Sequence, residues 1–210
     1  MCGKSFPLAQ IALNFCLSFL SSFLCYAEDL SPIQNGDLLF QSFPSYLCSA
    51  IQRETDSPYC HIGIAVWKGD ELFVIEAFGK AVVRTPWNEW RERANGREST
   101  TSLGLAIGHW KNYSPQERWQ IASAAKSYLG VPYDPDFRWG KESLYCSELI
   151  YFALKEGLGK EVLTPLPMHF DRFPDFWRKY FNGSPPSGEL GITPGAWSSV
   201  DLLELIAISR

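Results

Sequence analysis

The 210 residues carry a net charge of −4, with 20% charged, 46% hydrophobic and 15% aromatic residues. That is the length and composition of one globular domain, lacking both the basic face that nucleic-acid binding requires and an acidic tail. The many rings suit a groove lined by aromatic side chains, although most of them belong to a core.

The first residues read as an export signal. Lys4 supplies a positive charge, "LAQIALNFCLSFLSSFL" is the apolar region, and "CYA" before Glu28 resembles a small-residue cleavage site. Asn14 and several serines interrupt the run, which is shorter than the ~20 residues a spanning helix needs. A cleaved signal over residues 1–27 is therefore preferred to an uncleaved anchor or a lipidated cysteine. Membrane contact would come only through an uncleaved signal, and the expected location is a bacterial periplasm or cell envelope. Cleavage leaves Cys48, Cys60 and Cys146. In an oxidising compartment that set allows one bridge and one free thiol, and it fits three buried thiols as well.

Along the rest of the chain, "NGDLLFQS" pairs an Asn-Gly turn with a short strand, and "YLCSAIQRE" predicts a brief helix. "HIGIAVW", "ELFVIEAF" and "AVVRTP" are β-rich runs separated by short turns, an antiparallel meander. "RERANGREST" reads as a polar, charged loop before a fourth strand in "TSLGLAIGHW". "SPQERWQIASAAKSYLG" is the clearest helix, with Ser114 as N-cap, Pro115 at the first position, Glu117 closing a capping box and Gly130 ending it. A loop, "VPYDPDFRWGKE", leads to a helix that begins near Cys146 and runs to Gly157 or Gly159. From Leu163 onward the Pro- and aromatic-rich chain reads as an irregular wrap ending in "VDLLELIAI". The whole is one α+β domain over residues 28–210.

Cys146 has two readings. With Ile150, Ala153, Leu154 and Gly157 it lies on an apolar helical stripe, where a core cysteine belongs. Alternatively, Ser143 caps the helix and places Cys146 at the third position, where unpaired N–H groups and the helix dipole favour a thiolate. A nucleophile also needs a base, and His61, His109 and His169 are the only histidines. If Gly69 and Asp70 form a two-residue loop, Gly63 faces Glu76 and His61 faces Phe78. His61 and Glu76 are then diagonal neighbours on one face, their Cα atoms ~7–8 Å apart. Ile62, Ile64, Val66, Phe73 and Ile75 form an apolar opposite face that must be buried. Glu76, charged within an apolar strand, needs a partner. His109 and His169 read as solvent or loop residues, and no ligand cluster predicts a metal or other cofactor.

The segments "GDLLFQ", "SPYCHIGIAV", "FVIEAFGKAVVRTPWNEW" and "YLGVPYDPDFRWGKESLYCSELIY" together resemble, in that order, the YiiX-type, circularly permuted NlpC-like papain-fold hydrolases. The resemblance runs from about Gly36 to about Gly159. It implies a papain-like fold in which a small antiparallel sheet packs on the cysteine helix. It also implies Cys146 as nucleophile, His61 as base, Glu76 as the group orienting that base, and Tyr133 near the reacting centre. Tyr145 joins Tyr133 as an expected substrate-binding residue. Where non-permuted relatives carry D-C-S-G-L-V, this chain has Tyr145 and Glu148 in place of the acid and the glycine.

The resulting expectation is a cysteine peptidase or amidase acting on peptide or peptidoglycan fragments. The alternatives are a lipid acyltransferase or esterase on the same fold, and an idle module that only binds.

Overall fold

The computed structural model describes residues 30–94 and 104–208. Residues from Ile33 onward form one compact unit. The signal read over residues 1–27 lies outside the described residues.

The chain enters this unit through β1 (Leu38–Gln41) and α1 (Tyr46–Thr55) and continues into β2 (His61–Lys68), β3 (Glu71–Phe78) and β4 (Ala81–Pro86). The two-residue turn sets the register of β2 on β3, with Ile64 opposite Ile75 and Lys68 opposite Glu71, as read from the sequence. Gly69 supplies the positive φ of 61° that such a turn requires. After α2 (Trp87–Ala94), the chain forms β5 (Leu105–Trp110) and then α3 (Pro115–Ser127) and α4 (Cys146–Leu158). Among the described residues the main sheet is antiparallel, in the order β4-β3-β2-β1-β5, with one further strand beyond β5.

Both faces of this sheet are covered. Ile62, Ile64, Val66 and Ile75 join Leu38 and Phe40 in a core shared with α3 and α4. The opposite face lies against α2, which packs on β3 and β4 and whose Trp87 and Trp90 are buried. This explains why β2 is buried over six successive residues, His61–Val66, instead of alternating.

The expected polar loop "RERANGREST" is corrected at its start. Arg91–Ala94 are the last turn of α2, because Trp87, Trp90 and Ala94 recur at helical spacing and bury together. Residues 95–100 lie outside the described residues.

The segment after Leu163 is also more regular than expected. It forms β6 (Leu166–Pro167) and α5 (Pro174–Tyr180), then β7 (Leu190–Gly191), α6 (Pro194–Ser198) and β8 (Leu203–Ala207). β6 and β7 pair with each other, and β8 extends the main sheet beyond β5. Leu205 and Ile206 are 42% and 38% exposed on that outer strand, so no clean alternation betrayed it.

The α3 helix carries the predicted capping box, with the Ser114 hydroxyl accepting the Glu117 N–H and the Glu117 carboxylate accepting the Ser114 N–H. It packs tightly on α4, and the contact is made possible by Gly157. A methyl group on Gly157 would stand 2.8 Å from the Gln120 carbonyl oxygen and 3.1 Å from the Ile121 nitrogen, both backbone atoms. Helix propensity alone favours Ala over Gly by roughly 1 kcal/mol. Overpacking against backbone costs typically ~1–3 kcal/mol. Gly157→Ala is therefore expected to lower stability by about 1 kcal/mol, measured by urea denaturation; a stabilised variant would show that the helices part freely.

Candidate active site

The α4 helix begins at Cys146, later than Ser143 capping would allow. Tyr145 is its N-cap residue and makes no side-chain cap hydrogen bond, so Cys146 occupies the first helical position. The cause lies upstream. Leu144 bridges Tyr133, its N–H donates to the Pro132 carbonyl, and its own carbonyl accepts the Asp134 N–H. Those bonds hold the chain extended through Leu144, and helical dihedrals start only after them.

Cys146 is a free, buried thiol beside the start of β2. Burial alone would raise its pKa. The hydrogen bond and charge of His61 outweigh that effect, helped by the Ser147 hydroxyl and the Ile62 N–H, and hold the thiol below its ordinary range. Adjacent residues of β2 thus supply a ring and a backbone donor to one sulfur.

His61 Nε2 lies 2.5 Å from Glu76 Oε2, leaving the other ring nitrogen for the thiol. Burial lowers the histidine pKa, but the hydrogen bonds and charges of Cys146 and Glu76 prevail and raise it to about 9. Glu76 is completely buried, which by itself would raise its pKa. Instead the hydrogen bond and charge of His61, the charge of Arg93 and the Thr85 hydroxyl hold it below the usual carboxylate range. Its Oε1 accepts from Thr85 Oγ1 and Arg93 Nη2, each at 2.5 Å. Gly63 gives Glu76 its space: a methyl group there would stand 3.3 Å from Glu76 Cβ and 2.4 Å from Val74 Cγ1.

Cys146, His61 and Glu76, chosen from the sequence, thus come together. Thr85 and Arg93 were missed. Arg93 fell in the supposed loop, and only the Trp87, Trp90 and Ala94 spacing could have turned it toward β3. Cys48 and Cys60, left open by the sequence, form a disulfide that ties α1 to the residue before His61.

A cavity of about 550 Å³ opens beside Cys146 and His61. Leu47 and Ile51 of α1 form part of its wall, with Phe78, Phe137, Met168 and Ile192 among the other lining residues. Tyr133 and Tyr145 both line it. Burial, and then the Cys146 charge, keep the Tyr133 hydroxyl protonated. The Tyr145 ring faces the cavity, while its hydroxyl accepts the Ile192 N–H at 3.0 Å and anchors the C-terminal segment.

His109 departs from its reading as a solvent or loop residue. It belongs to β5, and its Nδ1 lies 3.2 Å from the buried carboxylate of Asp37. His169 is exposed and lies on the cavity rim. Among the described residues, no group of three or more His, Cys, Asp and Glu is placed to hold a metal ion.

Glu148, on the same helix as Cys146, is fully buried. Its Oε1 accepts the Gly140 N–H at 2.7 Å, and among the described residues its Oε2 has no hydrogen-bond partner. Asp134 accepts the N–H groups of Asp136 and Arg138, closing the turn that leads toward the same loop.

An antiparallel sheet against a cysteine helix, with the histidine strand earlier in the chain than the cysteine, defines a papain-like fold in permuted order. The model of the permuted papain-like amidases, the YaeF/YiiX C92 family, matches residues 32–184, and the chain belongs to that family. It is 34% identical over 129 residues to protein YiiX of Escherichia coli K12, an alignment covering 61% of each chain. The chain thus matches about three fifths of that curated relative's length. A solved structure titled as the metalloprotein YiiX of Escherichia coli O157:H7 superposes with a TM-score of 0.74 at 27% identity, covering 84% of this chain and 98% of that one.

Burial raises the Glu148 pKa to about 8, the Gly140 N–H opposing it only in part. A raised carboxyl pKa means that the folded state holds a proton the unfolded state has released. Stability is therefore lost as pH rises from the unfolded value of ~4.3 through about 8. Glu148→Gln removes this titration and keeps the acceptor for Gly140. Its thermal stability is expected to match wild type near pH 4.5 and to exceed it by at least ~1 kcal/mol at pH 8.5. A difference independent of pH would assign Glu148 a purely steric role.

Proposed function

We propose that this protein is a thiol amidase that uses Cys146 as nucleophile, His61 as acid–base and Glu76 as the group that orients and charges His61. The observation that carries the reading is the His61 ring, bonded to Glu76 on one side and interacting with the Cys146 thiol on the other. His61 takes the thiol proton, and the thiolate attacks the substrate carbonyl to give a tetrahedral oxyanion. Collapse of that species breaks the C–N bond as His61 passes its proton to the leaving nitrogen. His61 then takes a proton from water, the hydroxide attacks the thioester, and Cys146 departs as thiolate. The Cys146 N–H at the helix start is an oxyanion donor, of the kind worth ~2.7–4 kcal/mol.

Cavity chemistry bears on the substrate. Its volume lies within the ~300–1,000 Å³ of small-molecule sites, and aliphatic and aromatic side chains form most of its wall. Glu54 lines it too, but its carboxylate already accepts the Asp171 and Arg172 N–H groups and the Trp177 indole. Such a wall suits an apolar acyl group joined through an amide or ester better than the carboxylate-rich stems of peptidoglycan. We therefore place acylated small molecules or lipids ahead of cell-wall peptide, with residues 1–27 read as directing the enzyme to the envelope.

Iodoacetamide is expected to label Cys146 selectively at mildly acidic pH, more slowly after His61→Ala and not at all after Cys146→Ser. Because His61 loses its proton above about 9, acylation should decline on the alkaline side of that value. Labelling of folded Cys146 at the rate of an ordinary buried thiol would remove the catalytic reading.

Substrate class is tested with acyl amides of increasing chain length alongside peptidoglycan fragments. Ile51→Trp, which fills part of the cavity, is expected to lower kcat/KM for long acyl groups about tenfold or more and to leave acetyl substrates nearly unchanged. Cleavage of peptidoglycan fragments with no turnover of acyl amides would return the assignment to cell-wall peptide.

A further inference from the structure

Arg93 touches both residues that hold His61 in place. Its Nη2 lies 2.5 Å from Glu76 Oε1, and its guanidinium carbon stands 4.0 Å from the centre of the Phe78 ring. Phe78 meets the His61 ring edge-on, with centroids 5.4 Å apart. Arg93 is behind these groups and does not line the cavity, so no substrate contact explains it. Each oxygen of the Glu76 carboxylate is committed, Oε2 to His61 and Oε1 to Thr85 and Arg93, which prevents rotation of the group.

We propose that Arg93 is a positioning residue that keeps Glu76 ionised throughout turnover, so that the set formed by buried Cys146, His61 and Glu76 with half-buried Arg93 is electrically neutral in every state. This rests on the catalytic reading above and adds to it a fourth charge. At rest, thiolate and carboxylate balance imidazolium and guanidinium. In the tetrahedral intermediate the oxyanion replaces the thiolate, and the balance is unchanged. Once His61 has given its proton to the leaving group, sulfur and imidazole are both neutral, and the Glu76 carboxylate is balanced by Arg93 alone.

Without Arg93, the acyl-enzyme would hold an unpaired carboxylate with no solvent exposure, which burial strongly disfavours. Glu76 would then take up a proton and could no longer support the imidazolium needed when water attacks. Among the described residues, His61 from β2 and Arg93 from α2 are the titratable or charged groups that face Glu76, joined by the neutral Thr85 hydroxyl from β4. Cys146 from α4 faces His61, and Tyr133 and Tyr145 face Cys146.

The test follows the pH dependence of Cys146 labelling by iodoacetamide, together with kcat on an acyl amide, in wild type, Arg93→Gln and Arg93→Lys. Loss of the cation should raise the acidic labelling midpoint of Arg93→Gln by about one pH unit and lower kcat about tenfold, with KM changed less than threefold. Arg93→Lys, which keeps the charge, should recover most of the midpoint. A purely structural residue would move neither the midpoint nor the balance between kcat and KM. An Arg93→Gln midpoint equal to wild type, or an Arg93→Lys midpoint as displaced as that of Arg93→Gln, overturns the proposal. If Arg93→Gln does not fold, the wild-type enzyme decides: with Cys146 capped by iodoacetamide, carbon NMR should show Glu76 ionised at pH 6–7. Proton uptake by Glu76 on capping overturns the inference. Failure of the catalytic reading itself is separate, since it would appear as unselective labelling of wild type.

Discussion

His61 commits both ring nitrogens within the protein, one to Glu76 and the other to the Cys146 thiol, and the architecture around it holds that arrangement in the interior. Burial opposes every charge involved: it raises the pKa of the thiol and the carboxyl and lowers that of the imidazole. No member could be charged there alone. Together their mutual hydrogen bonds and charges reverse all three tendencies, as expected for ionised groups that survive burial only as a satisfied set. The start of β2 must therefore meet the start of α4, because one strand delivers the ring and the Ile62 N–H to the same sulfur.

The elements around this contact constrain it from different sides. The Cys48–Cys60 disulfide ties α1, part of the cavity wall, to the residue before the histidine. Trp197 donates its indole N–H to the Ser147 carbonyl, and Tyr145 accepts the Ile192 N–H, so the C-terminal segment is bonded to the first residues of the cysteine helix. Groups that grip Cys146 also shape the space in front of it. Cavity shape and site geometry are thus not independent, and Met168 and Ile192 of that segment contribute to both the wall and its support.

Glu148 illustrates what a buried acid on the cysteine helix does. The carboxyl group reaches the Gly140 N–H and so ties the loop before the helix to the helix itself. Among the described residues its second oxygen finds no partner, and burial favours the protonated form. The same helix therefore carries a thiol whose pKa is pushed down and a carboxyl whose pKa is pushed up. The difference is that the His61 cation stands beside the thiol, whereas burial and the Asp134 charge act together on Glu148.

Short-range chemistry was legible in the residues. The Gly69-Asp70 turn fixes the pairing of β2 with β3, and with it the shared face of His61 and Glu76, because side chains alternate with period two. The capping box of α3 and the positive-φ Gly159 ending α4 are equally local. The true start of α4 was not, because a hydrogen-bonded bridge to Tyr133 overrides a plausible serine cap. Nor was α2, whose two tryptophans reveal a helix only when a sheet face is there to bury them. The insertion of β1 between β2 and β5, the addition of β8 and the arrival of Arg93 at Glu76 all depend on contacts between distant segments. The sequence by itself determined the turns, the α3 cap and the shared face of His61 and Glu76, since these follow from neighbours a few positions apart. Only the tertiary structure decided which distant cation balances the buried carboxylate, because that choice is made by burial, and burial exists only once the sheet is covered on both faces.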